Sequence, residues 1–288
     1  MIMREKMKTD LHIHTYYSDG VFTPEKVVDT AVDVGLQAIA ITDHDNVLAY
    51  NIAQNYIKEK GLDLEIIRGI EVNTLYKNYE VHILGYFMNP NDNDFQAMLK
   101  SQQAARIKQT KEILGLLSKK EGIKVKFEDV KKLVAEGGSI GRPHIAKAIT
   151  NAGGTNSVMD AYAKYIHENS PVYVQRKTVS PQDAVEIIYD AGGIPVIAHP
   201  HDLDIAESLI KDLMTYGLRG IEAYHRKHSP ACVEYFSSMA EELGLIVTGG
   251  SDFHTPNIMN GQIILGKNFV PEWVYDKLIK EKKLIDMA

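Results

Sequence analysis

A chain of 288 residues that is 44% hydrophobic and 24% charged has the composition of an ordinary globular protein, long enough for one large α/β domain with an insertion. Its net charge of −6, with no Lys/Arg-dense run, excludes a broad basic surface for duplex nucleic acid. A single cysteine, Cys232, excludes an internal disulfide framework and cysteine-rich zinc knuckles, and it fits the reducing cytoplasm.

In chain order, residues 1–8 are charged with no apolar run behind them, and no stretch is long enough to span a bilayer. Neither a secretion signal nor a membrane anchor is therefore expected. Residues 10–15 read as a strand, after which Thr23-Pro24-Glu25 opens a helix that Gly35 ends. A strand at 36–42, a helix at 47–60 stopped by Gly61, and strands at 64–72 and 81–87 follow. From 93 the pattern turns almost wholly helical, with a long polar helix through Lys120, then 127–136, 143–151 and 157–168. Alternation resumes at Ser180 with a helix through Ala191, a Gly192-Gly193 turn, and strands at 194–198, 220–224, 245–248 and near 262–265. Strand, helix, strand repeated in this way predicts parallel strands joined by crossover helices. The expected organisation is a closed or nearly closed β/α barrel from 1–92 and 176–288, with an inserted helical cap at 93–175. An open doubly wound sheet is the competing architecture, but it concentrates its site at one switch point. No internal repeat, low-complexity tract or Gly-rich phosphate loop is present.

Six of the eleven histidines fall at these strand ends or in the loops just after them, each beside an acid or another His. The segments are Asp10-Leu11-His12-Ile13-His14, Thr42-Asp43-His44-Asp45, Gly69-Ile70-Glu71, Val81-His82, Ala198-His199-Pro200 and Gly249-Gly250-Ser251-Asp252-Phe253-His254. Imidazole and carboxylate suit borderline and hard divalent ions, and the apolar strand before each one fixes its position. Alternation along a strand puts His12 and His14 on one face, about 6.6 to 7 Å apart along the strand. Asp252 and His254 repeat that spacing behind a Gly-Gly pair that permits close backbone approach. Glu71, read as ending its strand, offers two oxygens to bridge two metals. One histidine at a strand end is ordinarily a satisfied polar residue; six with acids in the same topological position predict a metal cluster.

These motifs, in order, resemble those of the polymerase and histidinol phosphatase (PHP) superfamily of metal-dependent phosphoesterases, over nearly the whole chain. Ser18-Asp19-Gly20, the helical insertion and Gly141-Arg142-Pro143-His144 make the layout most similar to its TrpH-like stand-alone branch. The resemblance implies a distorted (β/α)7 barrel with a trinuclear site. His12, His14, Glu71 and Asp252 would hold one ion, and Glu71 would bridge to a second held by His82 and His199. Asp19, His44 and His254 would hold the third. His12, His14, Glu71, Asp252 and His254 would also be the catalytic set. Zinc, manganese and iron all suit such ligands. The branch implies phosphate removal from AMP or 3′,5′-nucleoside bisphosphates, or 5′ trimming of short RNA. Three divalent ions against three carboxylates leave positive charge for a phosphate dianion and a metal-bridging hydroxide that attacks phosphorus. Histidinol-phosphate phosphatase is the alternative enzyme, against which Asp19 in place of His speaks. A non-catalytic regulatory metal-binding module and a metal-dependent amidohydrolase are the others.

Around the predicted metals, Arg142 sits at a helix start, where free N–H groups and the dipole favour an anion. It reads as a phosphate clamp or as a solvated cap arginine, and His144 one turn on as its partner or as packing under the cap. Arg176-Lys177 lies where the cap returns to the barrel; it reads first as a solvated basic pair, or as one from which either side chain, Lys177 the candidate, reaches substrate. His225 and His228 follow the sixth strand and divide between substrate contact and structure, as does His201. His167, Tyr162 and Tyr165 read as cap structure. The expected partner is a small phosphorylated molecule, a nucleotide or short oligonucleotide, with no membrane contact.

Overall fold

The computed structural model describes residues 7–255, 264–267 and 270–287. Seven strands form one sheet in the order β1-β2-β3-β4-β5-β6-β7. They are β1 (Thr9–Ile13), β2 (Ala38–Ile41), β3 (Glu65–Tyr76), β4 (Tyr79–Tyr86), β5 (Ile194–Ile197), β6 (Gly220–His225) and β7 (Ile246–Gly250). A parallel bridge from Ile13 to Phe253 and the bond from His14 N–H to the Phe253 carbonyl at 2.9 Å bring the chain after β7 back against β1. The sheet is thus a nearly closed barrel, and the open doubly wound alternative is excluded by its sequential strand order. Gln262 and Ile263 of the expected last strand lie outside the described residues, while Leu265 sits in a turn.

The expectation of uniformly parallel strands is corrected at β4, which runs antiparallel to both β3 and β5. Residues 73–80 cannot accommodate a crossover helix, and parallel pairing needs a connection of about a dozen residues or more. Instead β3 extends past Glu71 to Tyr76, and Lys77-Asn78 turns the chain between paired Tyr76 and Tyr79, with Lys77 at φ 54°. Glu71 therefore lies within its strand and does not end it. The parallel units behave as the pattern predicts. In α1 (Pro24–Asp33) the Thr23 side chain caps the first turn by accepting from Lys26 N–H, and in α2 (Leu48–Lys60) the chain exits through Gly61 in the left-handed region.

Three apolar clusters organise the interior. The largest joins the sheet to α7 (Pro181–Asp190), α8 (Ala206–Met214), α9 (Pro230–Leu243) and α10 (Glu272–Met287), and a second packs α1 and α2 against Ile13, Ile39 and Ile41. The third is built within 113–174, from α3 (Asn93–Glu121), α4 (Phe127–Lys131), α5 (Arg142–Asn151), α6 (Val158–Ala161) and neighbouring loops. Helix α3 is shared: Phe95, Met98 and Leu99 belong to the barrel cluster, Ile113, Leu114 and Leu117 to the other. Two helices stop earlier than periodicity predicts. After α4 the segment is drawn back to the barrel loops by Asn46 Nδ2 on the Gly137 carbonyl (2.8 Å) and Ser139 N–H on the Tyr17 carbonyl (2.8 Å). After α6 the turn widens to π geometry at Tyr162–Ile166. No helix among the described residues is long and apolar enough to cross a membrane.

Candidate metal centre

All nine residues that the sequence nominates as ligands converge at one end of the barrel. The Nε2 atoms of His12 and His14 lie 3.2 Å apart, beside a register irregularity in the β1–β2 pairing between Asp10 and Ile13. Glu71 Oε2 lies 3.2 Å from His12 Nε2, 3.1 Å from His14 Nε2 and 3.1 Å from His44 Nδ1. Its other oxygen lies 2.7 Å from His82 Nδ1 and 3.0 Å from His199 Nε2. Asp252 Oδ1 faces His14 Nε2 at 3.4 Å and His254 Nδ1 at 3.3 Å, and Asp19 Oδ1 lies 3.2 Å from His254 Nε2. Close approach of β7 to β1 depends on Gly250, where an added Cβ would sit 2.4 Å from His12 N.

These contacts are short, yet several lack hydrogen-bond alignment. Asp19 Oδ1, His44 Nδ1 and Glu71 Oε2 are buried and, among the described residues, without a hydrogen-bond partner. Three orphaned donor atoms inside one imidazole–carboxylate cluster are what a cation at their common focus would satisfy. Three overlapping groups have ligand atoms close enough to share an ion: His12/His14/Glu71, His44/Glu71/His82 and His14/Asp19/His44/His254.

The electrostatics agree. Burial alone would raise the Glu71 carboxyl, but His44, His82 and His12 hold it well below the usual range. Asp19 and Asp252 are likewise held far down, against burial, chiefly by His254. Conversely, burial would lower His254, but Asp19 and Asp252 lift it to about 10, and Glu71 lifts His82 to about 9. Burial wins at His44, which drops to about 3. Positive charge is thus demanded by the carboxylates, and without other cations protons supply it.

The ligands are held by supporting residues, of which Asp43 and Ser18 stand inside the sequence motifs and Glu222 does not. Glu222 on β6 is fully buried, its Oε1 2.9 Å from His12 Nδ1 and its Oε2 accepting from His199 N–H at 2.9 Å. Asp43 accepts from Thr15 N–H (2.7 Å), Thr15 Oγ1 (2.6 Å) and Ser18 Oγ (2.6 Å), and Ser18 Oγ reaches His14 Nδ1 at 3.3 Å. Such outer partners fix imidazole tautomer and orientation. The only signal of Glu222 in the sequence is an acid inside an apolar run, Gly220-Ile221-Glu222-Ala223.

Beside the centre, between barrel and 93–175, lies a cavity of about 90 Å³ lined by Asp19, His44, Glu80, His82, Arg142 and Arg176 among others. Arg142, at the first turn of α5, pairs with Glu80 at 3.0 Å, and Glu80 in turn lies 3.4 Å from His82. His144 Nδ1 accepts from Gly141 N–H at 2.9 Å, so it caps α5 and does not line this cavity. Of the basic pair, Arg176 lines the cavity while Lys177 is exposed and does not. The Arg176 Nε is buried without a partner, and burial, then the nearby Arg106 charge, pull its guanidinium down to about 10. Behind it Arg106 of α3 is bound to Asp45 (2.7 Å), the Ile140 carbonyl (2.8 Å) and Asn73, tying α3 to the loop that carries His44. Tyr162 also lines the cavity, whereas Tyr165 packs in the third apolar cluster and His167 is exposed. His201, His225 and His228 lie outside it, on the other flank; His225 Nε2 is 3.4 Å from Asp252 Oδ2.

The PHP domain family model matches residues 10–179. The chain is 31% identical over 251 residues to the 5′-3′ exoribonuclease Rnm of Escherichia coli (strain K12), covering 86% of this chain and 85% of that protein. It is 32% identical over 251 residues to the 3′,5′-nucleoside bisphosphate phosphatase of Chromobacterium violaceum, covering 86% and 87%. A solved structure from Bifidobacterium adolescentis, assigned as a metal-dependent phosphoesterase, superposes with a TM-score of 0.83 at 31% identity over 95% of this chain and 96% of that one. By sequence and by fold, this chain belongs to the PHP domain family.

Proposed function

We propose that this chain is a metal-dependent phosphoesterase that removes terminal phosphate from small nucleotides, such as AMP and 3′,5′-nucleoside bisphosphates, or trims the 5′ end of short RNA. One observation carries the reading: the arginines Arg142 and Arg176 line the same cavity as Asp19, His44 and His82 of the imidazole–carboxylate centre. Anion recognition and metal ligation there share one space. The relatives named for exoribonuclease and nucleoside bisphosphate phosphatase activity support the nucleotide class.

Three divalent ions, zinc, manganese or iron, complete the reading. His12, His14, Glu71 and Asp252 would hold one, Glu71 with His82 and His199 a second, and Asp19, His44 and His254 the third. Bound there, the ions supply Lewis acidity that activates water and offsets charge on phosphate oxygens. The chain's own residues do the rest. Arg142 and Arg176 orient the phosphate, the guanidinium fork suiting two oxygens at once. Glu222 and the Ser18–Asp43 pair keep His12 and His14 aimed. Residues 93–175 act as a cap, and the cavity is well below the usual volume of a small-molecule pocket. It takes the phosphate end while the rest of the substrate lies toward the mouth. Residence in the cytoplasm accords with Cys232 being the one cysteine.

The test is phosphate release by manganese- or zinc-loaded protein from AMP, 3′,5′-bisphosphoadenosine, a 5′-phosphorylated RNA dinucleotide and histidinol phosphate. Release from the nucleotides that stops with chelator is expected. Release from histidinol phosphate alone would move the reading to the histidinol phosphatases, and silence on all four with metal bound would favour a regulatory module.

A further inference from the structure

A second group of imidazoles adjoins the nine ligands where the turn after β5 meets the end of β6, the His225 ring centre lying 5.1 Å from that of His199. Each of His201, His225 and His228 presents a ring nitrogen within 4.8 Å of the other two. The ring centres of His201 and His228 are 4.9 Å apart, and those of His225 and His228 5.3 Å. Backbone carbonyls hold two of the rings. His201 Nδ1 donates to the His199 carbonyl at 3.0 Å, and His228 Nδ1 donates to the Ala223 carbonyl at 2.7 Å. A carbonyl only accepts, so the His228 proton sits on Nδ1 and its neutral ring carries a lone pair on Nε2, whereas His201 has an acceptor at each nitrogen.

The His228 lone pair is left without a donor. His228 Nε2 is buried with no hydrogen-bond partner. His201 Nε2 faces Asp202 Oδ2 at 3.0 Å, an acceptor against an acceptor that calls for a cation, proton or metal, between them. We propose that His201, His225 and His228 form a further divalent-cation site of the three-imidazole type, taking zinc or a similar borderline ion. Three neutral imidazoles with one position open is an established zinc arrangement, and the carbonyls behind His201 and His228 are the outer partners such ligands require. Two of the three residues are tied to the main centre: His225 Nδ1 accepts from Lys227 N–H at 3.4 Å, so the proton an ion would displace sits on Nε2, 3.4 Å from Asp252 Oδ2, and His201 is anchored on the carbonyl of His199. An ion here shares no side chain with the main centre. It adds positive charge on the flank away from Arg142 and Arg176, and its open position suits a second anionic group of a substrate, a phosphate or a carboxylate. The site is independent of the phosphoesterase reading, since none of its ligands is used there.

The experiment uses the full chain and zinc alone as probe, with equilibrium binding stoichiometry and zinc-edge anomalous diffraction. His201→Asn and His228→Asn each keep a donor near the position of Nδ1 for the carbonyl while removing the Nε2 donor. The expected result is an anomalous peak among the three rings in the wild-type protein, and loss of one zinc equivalent in each variant with the peaks at His12, His14 and Glu71 retained. A loaded main centre with no peak among the three rings at saturating zinc would overturn the site. Unchanged stoichiometry in both variants would do the same, as would joint loss of the main-centre zinc, which would make the flank part of that centre. A peak on the flank with an empty main centre would uphold this site and sink the trinuclear reading instead.

Discussion

At the barrel end, His12 and His82 sit in strands, Glu71 lies mid-strand, and each is backed by buried acceptors or by neighbouring ligands. On the opposite wall, Arg142 reaches the cavity from a helix start and is partnered by a half-exposed Glu80, while Arg176 arrives on a segment outside any helix or strand with no Nε partner. The first wall is over-determined by the fold and the second is adjustable. That division suits an enzyme in which metal geometry must be exact to tenths of an ångström while substrate contacts vary among relatives. It also ranks what substitutions should do.

The sharpest way to break the comparison is to remove a ligand from the rigid wall. Asp252→Ala or His14→Ala should lower turnover by at least about 10³-fold, since ion-derived stabilisation is worth several kcal/mol. Circular dichroism should show the barrel intact. Retained activity in either variant would refute the assignment of the centre.

Glu222→Gln probes whether the support behind the ligands matters as well. It keeps the shape of the side chain but removes the charge that faces His12 Nδ1. Metal affinity should fall about 10- to 100-fold, the usual cost of losing an outer carboxylate. A purely structural role would lower thermal stability and leave affinity unmoved, so chelator competition separates the two.

On the adjustable wall the effects should be smaller. Arg176→Lys and Arg142→Lys preserve charge but lose the planar fork, and each should raise KM for a nucleotide roughly 10-fold with kcat largely kept. Arg142 is already shared with Glu80, so its substitution should cost less than that of Arg176. An equal collapse of kcat in both variants would erase the distinction between the walls.

What could be read from the chain follows the same division. Strands and helices were legible because their signals are local: period, the Thr23-Pro24 start, the Gly61 stop. Eight of the nine candidate ligands are legible by residue type and topological position and Asp19 only through the family resemblance, and the fold brings all nine together. The β3–β4 hairpin was missed because Lys77-Asn78 carries no glycine turn signal, so only the short connection could have exposed it. Glu222 was invisible as a supporting residue because an acid in a strand reads as an ordinary polar position until its neighbours are known. The choice of Arg176 over Lys177 depends on which way a segment outside any helix or strand faces where it meets the barrel, and no local period encodes that. His144 reads equally as a partner of Arg142 or as packing under the cap, and the fold adds a third use that the motif does not show, its Nδ1 accepting from the Gly141 N–H.

The smallest effect tests whether the rigid wall is held by charge as well as by packing. In metal-free protein His82 is raised to about 9 and His254 to about 10, because the carboxylates facing them outweigh burial. The unfolded value is about 6.5. A group raised on folding stabilises fully below its unfolded pKa and loses that contribution as pH climbs through the folded one, here on the approach to about 9 to 10. Asp19, Glu71 and Asp252 are depressed, so their contribution is lost only in acid and stays constant in this window. Bound metal displaces the imidazole protons and removes the dependence from the loaded protein. The gap in melting temperature between metal-loaded and chelated protein should therefore widen by a few degrees from pH 7 to about 9.5. A constant gap would mean that His82 and His254 carry no protons in the metal-free centre, and that packing alone holds this wall.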